Sequence, residues 1–145
     1  MIGLIQRVTQ AKVLVEGESV GMINQGILLL LGIEKHDNGK SIEKLARKVC
    51  NYRIFSDTDG KMNLSLLDIS GELLVVSQFT LVAQTDKGNR PGFSGGASPQ
   101  DGKRIYEDFI EHINSQYMEC QTGSYGEDMK VELTNDGPAT FYFKV

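Results

Sequence analysis

Apolar residues follow two rhythms along this chain, and the changes of rhythm mark its elements. Residues 2–8 read as a first strand. Residues 12–16 read as a second, alternating Lys12 and Leu14 against Val13 and Val15, close enough to the first to pair as a hairpin or meander. The run Gly26-Ile27-Leu28-Leu29-Leu30-Leu31-Gly32-Ile33 is continuously apolar, which suits a strand covered on both faces and predicts the centre of the sheet. Then the period lengthens. With Asp37 or Asn38 as cap, Ile42, Leu45, Ala46, Val49 and Cys50 form one buried helical stripe to about Tyr52.

Residues 53–56 predict a brief strand, ended by a turn over 57–60; residues 63–67 stay ambiguous. Residues 72–82 read as a buried strand, with Leu73 to Val76 and Phe79 as its apolar body and three uncharged polar side chains set into its end: Ser77, Gln78 and Thr80. A buried polar group without a partner costs about 1–3 kcal/mol, so these three need local partners or a ligand. Glycines and prolines forbid regular structure across 84–99, where Lys87, Arg90 and Phe93 give a mixed basic and aromatic character. Ser98 and Pro99 open a second helix with the stripe Ile105, Phe109, Ile110 and Ile113, ending near Gln116. Strand alternation at 128–133, a turn at 135–140 and a last strand at 141–145 complete the chain. Together these predict one α/β domain over 1–145, with a mixed, largely antiparallel sheet and two main helices.

Composition changes this picture little. A 40% hydrophobic and 23% charged chain is ordinary for a globular protein. No apolar run nears the roughly 20 residues that span a bilayer, and the start lacks a signal-peptide pattern, so a cytoplasmic protein without a membrane partner is expected. Two cysteines without a CxxC suggest neither a metal site nor a disulfide framework; Cys50 reads as a core residue. The net charge of −4 disfavours holding nucleic acid by broad phosphate neutralisation but permits gripping a few terminal nucleotides. Lys40, Lys44, Arg47 and Lys48, opposite the first helix's apolar stripe, are either a solvated face or a phosphate-contacting patch.

Familiar catalytic sets are missing. His36 lies in a polar loop and His112 on a polar helix face, so a Ser-His-Asp triad has no base. GxSxG, Walker and GxGxxG patterns are absent, and no pair of carboxylates stands out. An enzyme built from this chain is expected to need no metal and no organic cofactor.

Two motifs nevertheless carry a resemblance. Ser77-Gln78-Phe79-Thr80 matches SQxxT and Asn135-Asp136-Gly137-Pro138-Ala139-Thr140 matches NxGPxT, the signatures of the D-aminoacyl-tRNA deacylases. The segments at 5–8, 52–56, 60–63 and 90–94 also resemble that family, so the similarity runs over the whole chain. It implies the deacylase fold and hydrolysis of the ester joining a D-amino acid to the terminal ribose of tRNA, with glycine mischarged on tRNA(Ala) also a substrate. It implies a homodimer with sites at the interface: Ser77, Gln78, Phe79 and Thr80 from one subunit, and a cis Gly137-Pro138 peptide from the other. Asn135, Ala139 and Thr140 belong to the same substrate-binding motif.

Strand geometry sharpens the expectation. Gln78 and Thr80 share a face, while Ser77 and Thr80 cannot face one pocket unless the strand bends or ends there. Backbone N–H groups of Ser77 or Phe79 would supply an oxyanion hole. Thr80 is the one candidate nucleophile, but no base stands near it in sequence, which favours water as the attacking group. Arg7 is either a site-supporting cation that tethers the subunits or a surface arginine. Phe79 and Phe93 are candidates to stack a terminal adenine, with Phe79 better placed for core packing. The rival readings are a non-catalytic module that binds RNA ends and a hydrolase of other small esters.

Overall fold

The computed structural model describes residues 1–86 and 88–145; Lys87, part of the basic character expected of the long connection, lies outside the described residues. Residues 2–8 and 12–16 are not two paired strands but one, β1 (Ile2–Val15). No glycine or proline lies between Val8 and Lys12 to turn the chain. The turn falls instead at Glu16 and Gly17, both at positive φ (50° and 86°), and lays β2 (Glu18–Ile23) antiparallel on the second half of β1.

The apolar run becomes β3 (Gly26–Gly32), antiparallel to the first half of β1. Asn38 caps α1 (Gly39–Asn51) by accepting from the Lys40 N–H. A small hairpin of β4 (Phe55–Ser56) and β5 (Met62–Leu64) settles the ambiguous stretch. Asp57 holds its turn by accepting from the Asp59 and Lys61 N–H groups, and these bonds keep its carboxyl below the usual range. Next comes β6 (Glu72–Ser77), parallel to β3. Gly26 is required at the start of that pair, because a Cβ there would lie 1.9 Å from the Glu72 carbonyl oxygen.

Ser98 caps α2 (Pro99–Gln116), and β7 (Gln121–Thr122) adds parallel to β6. The chain closes with β8 (Met129–Lys144), antiparallel to β1 along its length. The two strands expected on either side of residues 135–140 are therefore one, interrupted by an outward loop.

The main sheet runs β2-β1-β3-β6-β7, with β8 on the other edge of β1. It is mixed and mostly antiparallel, with β3 at its centre, as the pattern predicts. Helices α1 and α2 cover one face over a core that includes Ile5, Leu29, Leu45, Val75 and Phe109. Thr9 is an extra residue between the pairs Val8–Asn135 and Gln10–Thr134. This bulge resets the alternation, so Val8, Ala11 and Val13 all join a second cluster on the opposite face. There β2 folds over so closely that a Cβ on Gly21 would lie 2.3 Å from the Thr122 carbonyl.

The Tyr106 hydroxyl donates to the Val75 carbonyl at 2.8 Å, tying α2 to the sheet. Cys50 and Cys120 are buried, and burial pushes their thiols up to about 12 and about 11, which keeps them protonated and unreactive at neutral pH. Among the described residues, no helix is long and apolar enough to cross a membrane.

Candidate functional site

The expected strand over 72–82 stops at Ser77. The Gln78 N–H makes a last bond to Leu31 O, and β3 offers no partner beyond Gly32. The chain then tightens into a single 3₁₀ turn, Phe79–Val82, closed by Leu81 N–H to Gln78 O and Ala83 N–H to Thr80 O. This is the strand ending that Ser77 and Thr80 need if they are to serve one pocket. Gln78 and Thr80 do come together: the Gln78 side-chain amide donates to the Thr80 hydroxyl. Thr80 accepts in that bond, so its own proton stays available to another acceptor.

The first N–H groups of a helical turn have no carbonyl behind them to bond. Phe79 and Thr80 provide these two amides, and among the described residues neither bonds a backbone carbonyl. Sequence reasoning named the amides of Ser77 or Phe79; the Thr80 amide was missed because it opens only when the strand gives way to a turn. A cavity of about 410 Å³ adjoins Ser77, Gln78 and Phe79, walled also by Tyr125 and Met129.

Phe79 corrects the expectation of core packing. Its ring is 69% exposed and tilts against Phe93, centroids 5.2 Å apart. The turn rotates it off the face it would occupy on a continuing strand. The pair makes an apolar platform at the rim, and Phe93 is carried there by a loop pinned by paired backbone bonds between Gln84 and Gly92.

The second motif forms a loop, not a plain turn. Gln6 pairs with Thr140 and Val8 with Asn135, so Arg7 alone faces four residues, 136–139, which bow out of the ladder. Asn135 staples the base: its side chain accepts from the Ala139 N–H at 2.7 Å and donates to the Thr140 hydroxyl at 2.9 Å. Ala139 is buried, while Gly137 and Pro138 stand exposed at the tip, joined by a cis peptide.

Beneath the loop lies Arg7, only 9% exposed, which removes the reading of a surface arginine. Its Nε donates to Asp136 O at 2.9 Å and its Nη1 to Ile54 O at 2.6 Å, with the Asp136 carboxylate 3.2 Å away. The guanidinium thus fixes the loop from below within its own chain.

One chain does not bring the two motifs together. Ser77 aligns with Leu31, Leu31 with Gly3 and Gly3 with Phe143, three strand spacings away. Adding the five residues back to Pro138 puts the loop tip about 20 Å from Ser77. Elsewhere, His36 is exposed in its loop, and the His112 ring rests edge-on against Tyr117. Among the described residues, no three His, Cys, Asp or Glu side chains gather as metal ligands would.

Comparisons with known proteins bear on the family and the fold. A family model described as D-Tyr-tRNA(Tyr) deacylase matches residues 4–144. Similar proteins named D-aminoacyl-tRNA deacylase occur in Alteromonas mediterranea, 59% identical, and Pseudoalteromonas atlantica, 61% identical, each over 100% of both chains. Among solved structures, the c-Myc DNA Unwinding Element Binding Protein superposes with a TM-score of 0.95 at 38% identity, covering 100% of this chain and 99% of that one. A probable eukaryotic D-amino acid tRNA deacylase shares the fold, with a TM-score of 0.84 at 14% identity over 99% of this chain and 98% of that one.

Proposed function

The chain belongs to the D-Tyr-tRNA(Tyr) deacylase family and is a hydrolase of the D-aminoacyl-tRNA ester bond; from that premise we propose that it cleaves this ester at Ser77–Thr80, in a site completed by Gly137-Pro138 of a second copy. The observation that carries the reading is the pair of amides on Phe79 and Thr80, neither bonded to a backbone carbonyl among the described residues, beside the Gln78–Thr80 hydrogen bond and next to a cavity that Ser77, Gln78 and Phe79 line. Amides aimed at the carbonyl oxygen stabilise the tetrahedral oxyanion, with about 3–4 kcal/mol of activation free energy lost where a single donor has been removed. Water is the nucleophile and the substrate's 2′-hydroxyl helps position it; an aminoacyl ester is activated already, so orientation and charge stabilisation suffice.

Two features support a shared site. The motifs lie about 20 Å apart on one chain, yet each exposes its polar or main-chain groups to solvent. Across the face opposite the helices runs the cross-strand row Tyr142, Leu4 and Leu30, with Tyr142 56% exposed and Leu4 and Leu30 half-buried. An apolar row of this kind suits a second copy of the same surface. A rigid main-chain wall at Gly137-Pro138 then explains handedness: the Cβ of an L-amino acid drives into it, a D-residue points away, and glycine, charged on tRNA(Ala), passes.

Competition between matched D- and L-aminoacyl-tRNAs tests the reading, which requires a kcat/KM ratio of 10² or more for the D-isomer. Equal cleavage, or an active species that sediments as a monomer at assay concentration, refutes it. Thr80→Ala keeps measurable turnover if water attacks; a trapped acyl-Thr80 ester would show the hydroxyl to be the nucleophile.

A further inference from the structure

The first helix's basic face, left open between a solvated surface and a phosphate patch, is in three dimensions one wall of a groove. Lys40, Lys44 and Arg47 on α1, with Glu43 among them, face His112 and Gln116 of α2 and the following Tyr117 across a cleft of about 460 Å³. Lys48 is not part of it, since its ammonium lies over the Phe143 ring at 4.7 Å. The cations of α2 are engaged by acids of their own helix, Lys103 with Glu107 and Arg104 with Asp101 and Asp108. Among the described residues, Lys40, Lys44 and Arg47 enter no ion pair.

This groove connects with the site. The segment leading into α1 bonds to the loop at the site's rim, through Lys35 N–H to Gly95 O and Ala97 N–H to Ile33 O, and Ala97 walls the cavity beside Gln78 and Phe79. Two acids on the way are already neutralised. Glu34 pairs with Lys144 and the Met1 ammonium, and Asp37 with the same ammonium. Exposed Lys35 therefore continues the cationic track from the rim to Lys40. From Lys40 to Arg47 the helix rises about 10 Å, about three nucleotide steps of a duplex strand.

We propose that the α1–α2 groove docks the phosphodiester backbone of the tRNA stem while its 3′ end lies in the site. This rests on tRNA as the substrate. It also reconciles an acidic chain with a polyanionic ligand: contact is confined to one local track, and the remaining surface repels the rest of the nucleic acid.

The test is binding of uncharged tRNA, measured by fluorescence anisotropy across a salt series with the whole protein. The Lys40→Gln, Lys44→Gln, Arg47→Gln triple variant is expected to bind at least about ten-fold more weakly at low salt. Its slope of log K against log salt should be shallower by about 2–3, one lost phosphate contact per cation. A charge-matched control, Lys12→Gln, Lys61→Gln, Lys103→Gln, should keep most of the affinity. A charge-conserving variant, Lys40→Arg, Lys44→Arg, Arg47→Lys, should restore it. Wild-type affinity and slope in the groove variant, or an equal loss in the control, overturns the proposal. Because the tRNA carries no amino acid, the outcome is independent of turnover: absence of D-aminoacyl-tRNA cleavage by the wild type would refute the proposed reaction and leave this groove to be judged by binding alone.

Discussion

Replacing Arg7 with methionine keeps much of the aliphatic stem and removes the guanidinium beneath the Gly137-Pro138 loop. Two charge-assisted hydrogen bonds disappear, to Ile54 O at 2.6 Å and to Asp136 O at 2.9 Å. Bonds of this kind contribute about 1.5–3 kcal/mol each. Ile54 is 1% exposed, so water does not readily replace its lost donor. The Asp136 side chain, 47% exposed, can turn to solvent and adds little. The expected destabilisation is about 3–5 kcal/mol, close to that for breaking a buried pair by removing one partner. At about 2–4 °C per kcal/mol for a chain of this size, the melting temperature should fall by roughly 6–20 °C.

Activity should suffer separately. Gly137 sits directly on the guanidinium, where a Cβ would lie 2.6 Å from Nη2, so losing Arg7 unpins the loop tip. Below the melting range, kcat/KM on D-aminoacyl-tRNA should drop by about 10²-fold, in line with a misplacement of about 1 Å. Thermal melts must be run at one protein concentration, since association of copies would itself shift the midpoint. Arg7→Lys should recover only part of both losses, because one ammonium cannot follow the guanidinium's fork. An Arg7→Met protein that melts within about 2 °C of wild type and cleaves at full rate would refute this account of the loop.

Gly26→Ala forces a Cβ to within 1.9 Å of the Glu72 carbonyl, backbone against backbone, and should cost about 3 kcal/mol in urea unfolding. Tyr106→Phe should cost only about 1 kcal/mol: Val75 O loses the hydroxyl at 2.8 Å but keeps the Gly123 N–H at 2.9 Å. Burial pushes Glu34 up, but hydrogen bonds and charge from Lys144 and the Met1 ammonium outweigh it and hold the carboxyl below its ordinary 4.5. Its contribution is therefore present above pH 4.5 and lost as pH falls through the lower folded value. Glu34→Gln should flatten the acid limb of stability, measured as urea midpoints at about pH 7 and about pH 3.5, and an unchanged limb would contradict the pairing.

Local chemistry made much of this protein legible in its sequence. The stripe Ile42, Leu45, Ala46, Val49 and Cys50 specifies α1, and Asn38 caps it, because period and capping depend only on near neighbours. Ser98 and Pro99 start α2 for the same reason. The continuous apolar run at β3 announces a strand with both faces covered, and the two polar motifs stand out by residue type alone.

Tertiary structure decided the rest, where a residue's fate depends on partners distant along the chain. Residues 2–15 form one strand because β8 pairs with their whole length, a fact invisible from either segment alone. The strand at 72–77 ends where β3 runs out of hydrogen-bonding partners, and only then do Phe79 and Thr80 expose their amides and Phe79 its ring. Arg7 reads as half surface in the sequence, yet it is buried because four residues of β8 bow over it. Periodicity encodes which face of an element is apolar; it does not encode where a neighbouring strand stops, and in this fold those endings shape the candidate site.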